Sequence, residues 1–179
     1  VEGARRIGKS TIVEEFAKNE YKSYILIDFA KASEDVKSYF KVYLDDLDTL
    51  YMLLSIQYGV KLYPRESLII FDEVQMFPKA REAIKYLVAD GRYDFIETGS
   101  LISIKENIKS IVIPSEERHI KMYPLDFEEF CWALGEEVLI DYIRNCFAKL
   151  MPLESGIHAK AMLIFKEYLL VGGMPMSVV

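Results

Sequence analysis

Residues 3–10 read Gly-Ala-Arg-Arg-Ile-Gly-Lys-Ser, a complete GxxxxGKS pattern, and Thr11 and an amphipathic segment follow it directly. Glycine at the two fixed positions lets backbone N–H groups curl inward around phosphate oxygens, where a Cβ would intrude. The lysine carries a point charge that can reach the β and γ phosphates of a nucleotide. The pattern therefore predicts a loop and helix that bind a nucleoside triphosphate.

Each position of this loop has a predicted role. The Ser10 hydroxyl is expected to bind Mg²⁺, and a helix that starts there points the positive end of its dipole at the phosphates. Lys9 is expected to hold the β and γ phosphates and so counts among the catalytic residues. Arg5 and Arg6 are weaker candidates because variable loop positions usually point outward, and a glycine turn with basic neighbours and no ligand is the alternative. The residues predicted to contact the nucleotide are Gly3, Ala4, Arg5, Arg6, Ile7, Gly8, Lys9, Ser10 and Thr11.

Length and composition limit the class of protein. The chain has 179 residues, of which 51% are hydrophobic, enough for one domain of ordinary size with a small second module. Its apolar runs are much shorter than a membrane span and nothing resembles a secretory signal, so a cytoplasmic protein without a membrane partner is expected. Cys131 and Cys146 lie far apart in apolar, helix-like sequence and are expected to be reduced core thiols. His119 and His158 have no partner motif and receive no chemical role.

Charge and the position of the loop add two expectations. A net charge of −6 and a pI of about 5.1 argue against a broad surface for a nucleic-acid backbone, although a local basic patch remains open. A strand normally precedes such a loop, and only two residues precede Gly3. The first strand is therefore expected to be largely missing, and the chain to be a fragment.

Hydrophobic patterning divides the chain into two parts. Short apolar, β-branched runs alternate with helical periodicity up to residue 123, which is typical of a parallel sheet with helices on its faces. From Pro124 onward only helical segments follow, so the sequence predicts an α/β core over 1–123 and a helical, lid-like segment over 124–179. Beyond the helix that follows the loop, the predicted strands are 24–29, 67–72, 93–98 and 118–123, and the predicted helices are 34–58 (one or two), 78–89, 126–134, 136–150 and 158–171.

Two adjacent carboxylates end the most apolar of these strands, in the sequence Leu-Ile-Ile-Phe-Asp-Glu over 68–73. Strand ends are where doubly wound sheets bind their ligands, and neighbouring strand side chains point to opposite faces. Asp72 is therefore expected to hold Mg²⁺ together with Ser10, and Glu73 to act as the general base toward water. A solvated strand terminus with no chemistry is the alternative.

Polar residues near the next two strands are further candidates. Thr98 and Ser100 close the strand after the carboxylates and are predicted to touch the γ phosphate or orient the water; a simple turn explains them equally well. Arg118 begins the following strand and is predicted to act on a neighbouring subunit of a homo-oligomer as an arginine finger. An ordinary surface arginine is an equal alternative.

Five segments follow one another along the chain: GARRIGKST (3–11), LIIFDEVQ (68–75), ETGS (97–100), PLDFEEF (124–130) and GGMP (172–175). In this order they resemble the prokaryotic AAA-like P-loop ATPases. Those proteins usually carry a C-terminal domain of unknown function that is related in fold to nucleases, and no such domain is expected in this chain. The resemblance implies an α/β P-loop NTPase fold, with a parallel sheet sandwiched by helices and a small helical lid.

The resemblance also implies roles for particular residues. It places Lys9, Ser10 and Thr11 at ATP, Asp72 at magnesium, Glu73 as the base, and Thr98 or Ser100 as the sensor. Gly173 and Pro175 resemble the Gly-x-Pro element with which related signalling ATPases pack a helical lid against adenine. From the residues alone, that segment is only a turn after a helix.

Three functions compete at this point. The first is an ATPase with ATP and Mg²⁺ as ligands, in which the nucleotide state moves the helical lid. The second is a nucleotide-dependent switch that binds a protein or nucleic-acid partner with little turnover. The third, a kinase for a small molecule, needs an acceptor site and a basic lid, for which only Lys149, Lys160 and Lys166 are candidates.

Overall fold

The computed structural model describes residues 1–100 and 118–178, which form two compact units. The sheet unit comprises Val1–Ala4 and Gly8–Met122, and the helical unit comprises Arg5–Ile7 and Tyr123–Val179. Three residues of the loop therefore group with the distant helical segment, which the sequence did not indicate.

In the described part of the sheet unit, every strand is parallel to the strands with which it pairs. Pairing gives the orders β2-β3-β4 and β5-β1-β6, and Thr98 alone separates β4 from β5. The Thr98 N–H donates to the Phe71 carbonyl at 2.8 Å, and the next N–H, of Gly99, donates to the Val1 carbonyl at 3.3 Å. The chain thus changes partners at Thr98 and joins both groups of strands. The strands are β1 (Glu2–Gly3), β2 (Ser23–Asp28), β3 (Ser67–Asp72), β4 (Asp94–Glu97), β5 (Gly99–Ser100) and β6 (Lys121–Met122).

Helices cover both faces of this sheet because its central strand is apolar on both. All six residues of β3 are buried, as expected for a strand in a parallel sheet. Ile69 and Phe71 belong to one core cluster, whereas Leu68 and Ile70 belong to another with Val13. The predicted α/β fold with its sheet between helices is confirmed. The helices are α1 (Lys9–Glu20), α2 (Glu34–Val42), α3 (Leu47–Tyr58) and α4 (Pro78–Asp90).

Local chemistry sets the helix boundaries in this unit. The side chain of Ser33 accepts a hydrogen bond from the Val36 N–H at the start of α2, and Asp46 does the same for the start of α3. Gly59 and Gly91 end α3 and α4 in the left-handed conformation, which glycine adopts without a steric penalty. The segment 34–58, for which one or two helices were predicted, therefore forms two, α2 and α3.

The helical unit has its own small core. Its helices are α5 (Phe127–Ala133), α6 (Glu137–Ala148), α7 (Ser155–Val171) and α8 (Pro175–Val178). Asp126 and Glu129 form a reciprocal capping box at the start of α5. Cys131 and Cys146 are both buried and free, as expected. None of the described helices has the length and apolar character to cross a bilayer. The core residues of this unit are Phe130, Cys131, Leu139, Ile140, Ala161 and Ile164.

Candidate functional site

The start of α1 carries the backbone N–H groups of a helix N-terminus immediately after the loop. Gly8 adopts a left-handed φ of 86° immediately before the helix, and its carbonyl accepts from the Ile12 N–H at 3.0 Å. No side chain caps this helix end. The first N–H groups of a helix have no intrahelical partner, and together with the helix dipole they favour an anion. The local geometry at Lys9, Ser10 and Thr11 thus suits a phosphate group.

Lys9 is held at the loop by backbone carbonyls. Its ammonium donates to the carbonyl of Ala4 at 2.7 Å and to that of Gly3 at 3.3 Å. The residue is only 6% exposed, and a buried cation is costly unless polar groups compensate it. These carbonyls therefore keep the positive charge beside the loop.

Asp72 joins the loop helix to the end of β3. Its side chain is buried, and its Oδ1 accepts from the Ser10 hydroxyl at 2.8 Å. The Thr98 hydroxyl donates to the same carboxylate oxygen. Three residues that are distant in sequence thus meet at the carboxyl edge of the sheet, and the predicted pair of Ser10 and Asp72 is brought together.

This donor set fits magnesium. Mg²⁺ prefers hard oxygen ligands and usually takes only one or two protein oxygens, with substrate phosphates and water completing its shell. Within residues 1–100 and 118–178, no group of three or more His, Cys, Asp or Glu side chains is arranged to hold a metal. A hydroxyl and a carboxylate beside a phosphate-binding loop therefore match the way in which Mg²⁺ is bound with a nucleotide.

Glu73 leaves the strand by a sharp backbone turn. Its φ of 51° lies in the left-handed region, which costs a residue with a Cβ about 1 kcal/mol. The Val74 N–H bonds to the Thr98 carbonyl at 3.1 Å and the Met76 N–H to the Glu73 carbonyl at 2.9 Å, which fixes the short 3₁₀ turn Val74–Met76. Such strain is typical of functional sites that the surrounding structure holds in place. The sequence alone suggested that Asp72 and Glu73 differ because neighbouring strand side chains alternate. In the structure the strand ends at Asp72, and the left-handed turn at Glu73 changes the direction of the chain.

Two neighbours of the carboxylates were missed in the sequence. The Gln75 side-chain amide donates to Glu73 Oε2. Asp28 ends β2 opposite Asp72, and Lys31 lies 2.9 Å from its Oδ2. The hydrogen bond and charge of Asp28 raise the pKa of Lys31, with a smaller contribution from Asp72. The carboxyl edge of the sheet thus carries Asp28 in addition to Asp72 and Glu73, and the strand-end position of Asp28 was the signal that could have identified it.

Thr98 is almost fully buried and bonded through its backbone and its side chain. Its hydroxyl lies on Asp72 instead of reaching open space, and its backbone bonds to β3 and the 3₁₀ turn. Contact with a γ phosphate stays a prediction. Ser100 lies in β5, where its backbone is in register with Gly3.

Arg118 is exposed and lies just before β6. It lines a cavity of about 20 Å³ together with Thr98, the buried Arg81 and the partly buried Glu97. The Nε atom of Arg81 and the Oε2 atom of Glu97 are 3.8 Å apart. The arginine-finger role stays a prediction, which recovery of turnover on mixing Glu73→Gln and Arg118→Ala proteins would support and failure to recover would oppose.

The remaining predicted contacts belong to the helical unit. Arg5 and Arg6 are exposed and Ile7 is fully buried. The Gly173 carbonyl accepts from the Leu125 N–H at 2.7 Å, and a Cβ on Gly173 would lie 2.0 Å from the Leu125 carbonyl oxygen. Gly173 thus has a packing reason to be glycine, and Pro175 begins α8. Nucleotide contact by these residues stays a prediction.

The convergence of the loop, Asp72 and Thr98 on one sheet edge agrees with a family match. The sequence model of an AAA domain matches residues 1–131. The chain belongs to the AAA domain family. Membership confirms the resemblance to AAA-like P-loop ATPases and supports a nucleotide-binding, ATPase-type function.

The part matched by the AAA domain contains every sheet-unit residue discussed above, from Gly3 to Arg118. Comparison with curated proteins gave no match. The match to the AAA domain thus fixes the family.

Proposed function

We propose that this protein hydrolyses ATP to ADP and phosphate with Mg²⁺. The observation that carries the proposal is the hydrogen bond between Ser10 and Asp72, at 2.8 Å, with Glu73 next in the chain. It joins a phosphate-binding loop to a carboxylate pair at the edge where parallel sheets bind their ligands.

Each residue has a distinct task in the proposed reaction. The N–H groups at the start of α1 and the Lys9 ammonium bind the phosphates, while Ser10 and Asp72 would hold magnesium. Bound Mg²⁺ would neutralise charge that develops on the phosphate oxygens. Glu73 accepts a proton from water, the water oxygen bonds to the γ phosphorus, and the bond from that phosphorus to the bridging oxygen breaks. Positioning and charge stabilisation account for most of the catalysis in such reactions.

Replacing the proposed base tests this reaction. In Glu73→Gln, phosphate release should fall by about 100-fold or more, because the amide cannot take the proton. ATP binding should persist, since phosphate binding rests on the loop. The matched control is Glu82→Gln, which changes an exposed glutamate on α4. Equal turnover in the two variants would remove Glu73 from the mechanism.

The helical unit is proposed to respond to the nucleotide state as a lid. Support comes from the resemblance of the segment around Gly173 and Pro175 to a nucleotide-reading turn, and from the unit's own core, which lets it respond as one body. Hydrogen exchange in α7 should then differ between protein saturated with ATP and protein saturated with ADP. Identical protection in the two states would contradict the lid.

A nucleotide-dependent switch with little turnover is the second candidate. The independent core of the helical unit favours it as well, because a switch needs an element with two states. Under this hypothesis, Glu73→Gln keeps the difference in partner affinity between the ATP and ADP states. Equal partner affinity in the ATP and ADP states of the wild-type protein would contradict the switch.

A further inference from the structure

The 3₁₀ turn after β3 places a side-chain amide beside the proposed base. Two residues separate the left-handed Glu73 from Met76, whose N–H closes the turn on the Glu73 carbonyl at 2.9 Å. Gln75 lies within this turn, and its Nε2 donates to Glu73 Oε2. The contact is thus a product of the same backbone turn that moves Glu73 out of the strand.

The side-chain oxygen of Gln75 makes no hydrogen bond within the described residues that would explain a glutamine at this position. This atom, Oε1, is buried and accepts no hydrogen bond from any residue in the described part of the chain. Burying an unpaired amide oxygen is unfavourable, and an apolar side chain of similar size would avoid that penalty. The hydrogen bond to Glu73 is therefore the contact that accounts for an amide at this position.

We propose that Gln75 is a positioning residue that holds the Glu73 carboxylate in the direction needed for proton abstraction. A carboxylate offers about four acceptor sites on its two oxygens, so one amide donor on Oε2 restrains the group and leaves acceptor capacity for water. The inference rests on the proposed ATPase function. It deepens that function by identifying what orients the base.

The test is a double-mutant cycle on steady-state ATP hydrolysis. Gln75→Leu should lower kcat by roughly 10- to 100-fold with little change in the KM for ATP, because misplacing a reacting group costs rate rather than binding. In the Glu73→Gln background the same substitution should have almost no further effect, since the group that it positions is already gone. The matched control is Gln57→Leu, at the exposed glutamine of α3, which should turn over like the wild type.

A second variant covers the case in which Gln75→Leu fails to fold. Gln75→Glu keeps the size and polarity of the side chain, but it cannot donate to Glu73 at neutral pH and repels it. It should show the same selective loss of kcat. The thermal midpoint of unfolding of each variant is measured alongside, to separate a loss of kcat from a loss of folded protein.

Three results would overturn the inference, and they separate it from the parent proposal. If Glu73→Gln abolishes turnover while Gln75→Leu equals Gln57→Leu, only the positioning role is wrong. If Gln75→Leu slows the Glu73→Gln protein by the factor seen in the wild type, Gln75 acts independently of the base. If Glu73→Gln itself leaves turnover unchanged, Glu73 is not the base of the proposed reaction, and the positioning role of Gln75 fails with it.

Discussion

Asp72 accepts two hydroxyl hydrogen bonds on a single buried oxygen. The donors are Ser10, on the loop helix, and Thr98, at the point where the strand changes partners. Hydrogen bonds to a charged group contribute about 1.5–3 kcal/mol each when the group is withdrawn from water. The carboxylate is therefore fixed from two sides before any ligand binds.

Thr98→Val should weaken this arrangement. Valine has nearly the shape of threonine but no hydroxyl, so the buried carboxylate loses one donor, and the free energy of unfolding should fall by about 1–3 kcal/mol. The Mg²⁺ concentration needed for half-maximal ATP binding should rise as well. Denaturant unfolding and a magnesium titration check both effects.

Thr98→Ser is the matched control, because it keeps the hydroxyl and removes only a methyl group. It should retain magnesium affinity close to that of the wild type. Equal magnesium affinity in the valine variant would show that the Thr98 hydroxyl has no part in positioning Asp72.

The sequence predicted the Ser10–Asp72 pair, because a motif fixes the loop and an apolar run ending in a carboxylate fixes the strand end. The contact between Gln75 and Glu73 could not be predicted in the same way. It depends on a left-handed backbone at Glu73, and a glutamate gives no local signal for that conformation. Contacts between individual side chains could thus be predicted from the sequence only where the backbone followed a regular element.

The backbone that follows α7 packs closely against the backbone at Leu125. Gly173 approaches Leu125 so closely that a Cβ would lie 2.0 Å from the carbonyl oxygen and 2.8 Å from the amide nitrogen. Both atoms belong to the backbone, which cannot rotate away as a side chain can. The Tyr168 hydroxyl also donates to the Leu125 carbonyl, at 3.3 Å.

Gly173→Ala should therefore destabilise the helical unit by about 2 kcal/mol or more, because the steric conflict forces this backbone contact apart. Hydrogen exchange across α5 and α7 should accelerate. Gly156→Ala is the control near the start of α7, where a Cβ would meet only the carboxylate end of the Glu154 side chain, at 3.1 Å, and no backbone atom. Equal exchange rates in the two variants would show that the contact around Leu125 yields easily.

The bounds of the strands show which features of an element can be predicted from its own sequence. The prediction of 67–72 for β3 matches the structure to the residue, since a continuous apolar run marks a strand buried on both faces. The predicted strand over 118–123 is too long: only Lys121–Met122 pair, and their partners are the two residues of β1. Length there is set by the neighbouring strand. The break at Thr98 likewise follows from a change of partner and has no signal in the local pattern.

At the scale of the whole molecule, alkaline pH should destabilise the fold. Burial, together with a hydrogen bond to Asp94 at 2.9 Å, raises the pKa of Tyr21 to about 12 from an ordinary value of 10.0. Burial likewise raises the pKa of Tyr58. A raised tyrosine pKa means that the unfolded chain loses its proton first, so stability is full below pH 10 and declines as the pH rises toward 12.

The free energy of unfolding, measured by denaturant titration at a series of pH values, should thus fall over this window. Tyr21→Phe should make the fall shallower, because phenylalanine has no proton to lose. Tyr123→Phe changes a side chain that is 70% exposed and should leave the slope as in the wild type. The same slope in all three proteins would assign the alkaline loss to other groups.

Because β1 is the middle strand of the β5-β1-β6 group, we expect the nucleotide site to form late in folding. Glu2 is in register with Gly99 on one side and Lys121 on the other, whereas β2, β3 and β4 pair with strands much nearer in the chain. Closing longer loops costs more entropy, so distant pairings form later than near ones. During refolding, binding of a fluorescent ATP analogue should therefore appear only in the slowest phase, after the β2-β3-β4 group has formed. The loop that precedes α1 to α4 along the chain is therefore among the last parts of the fold to become competent.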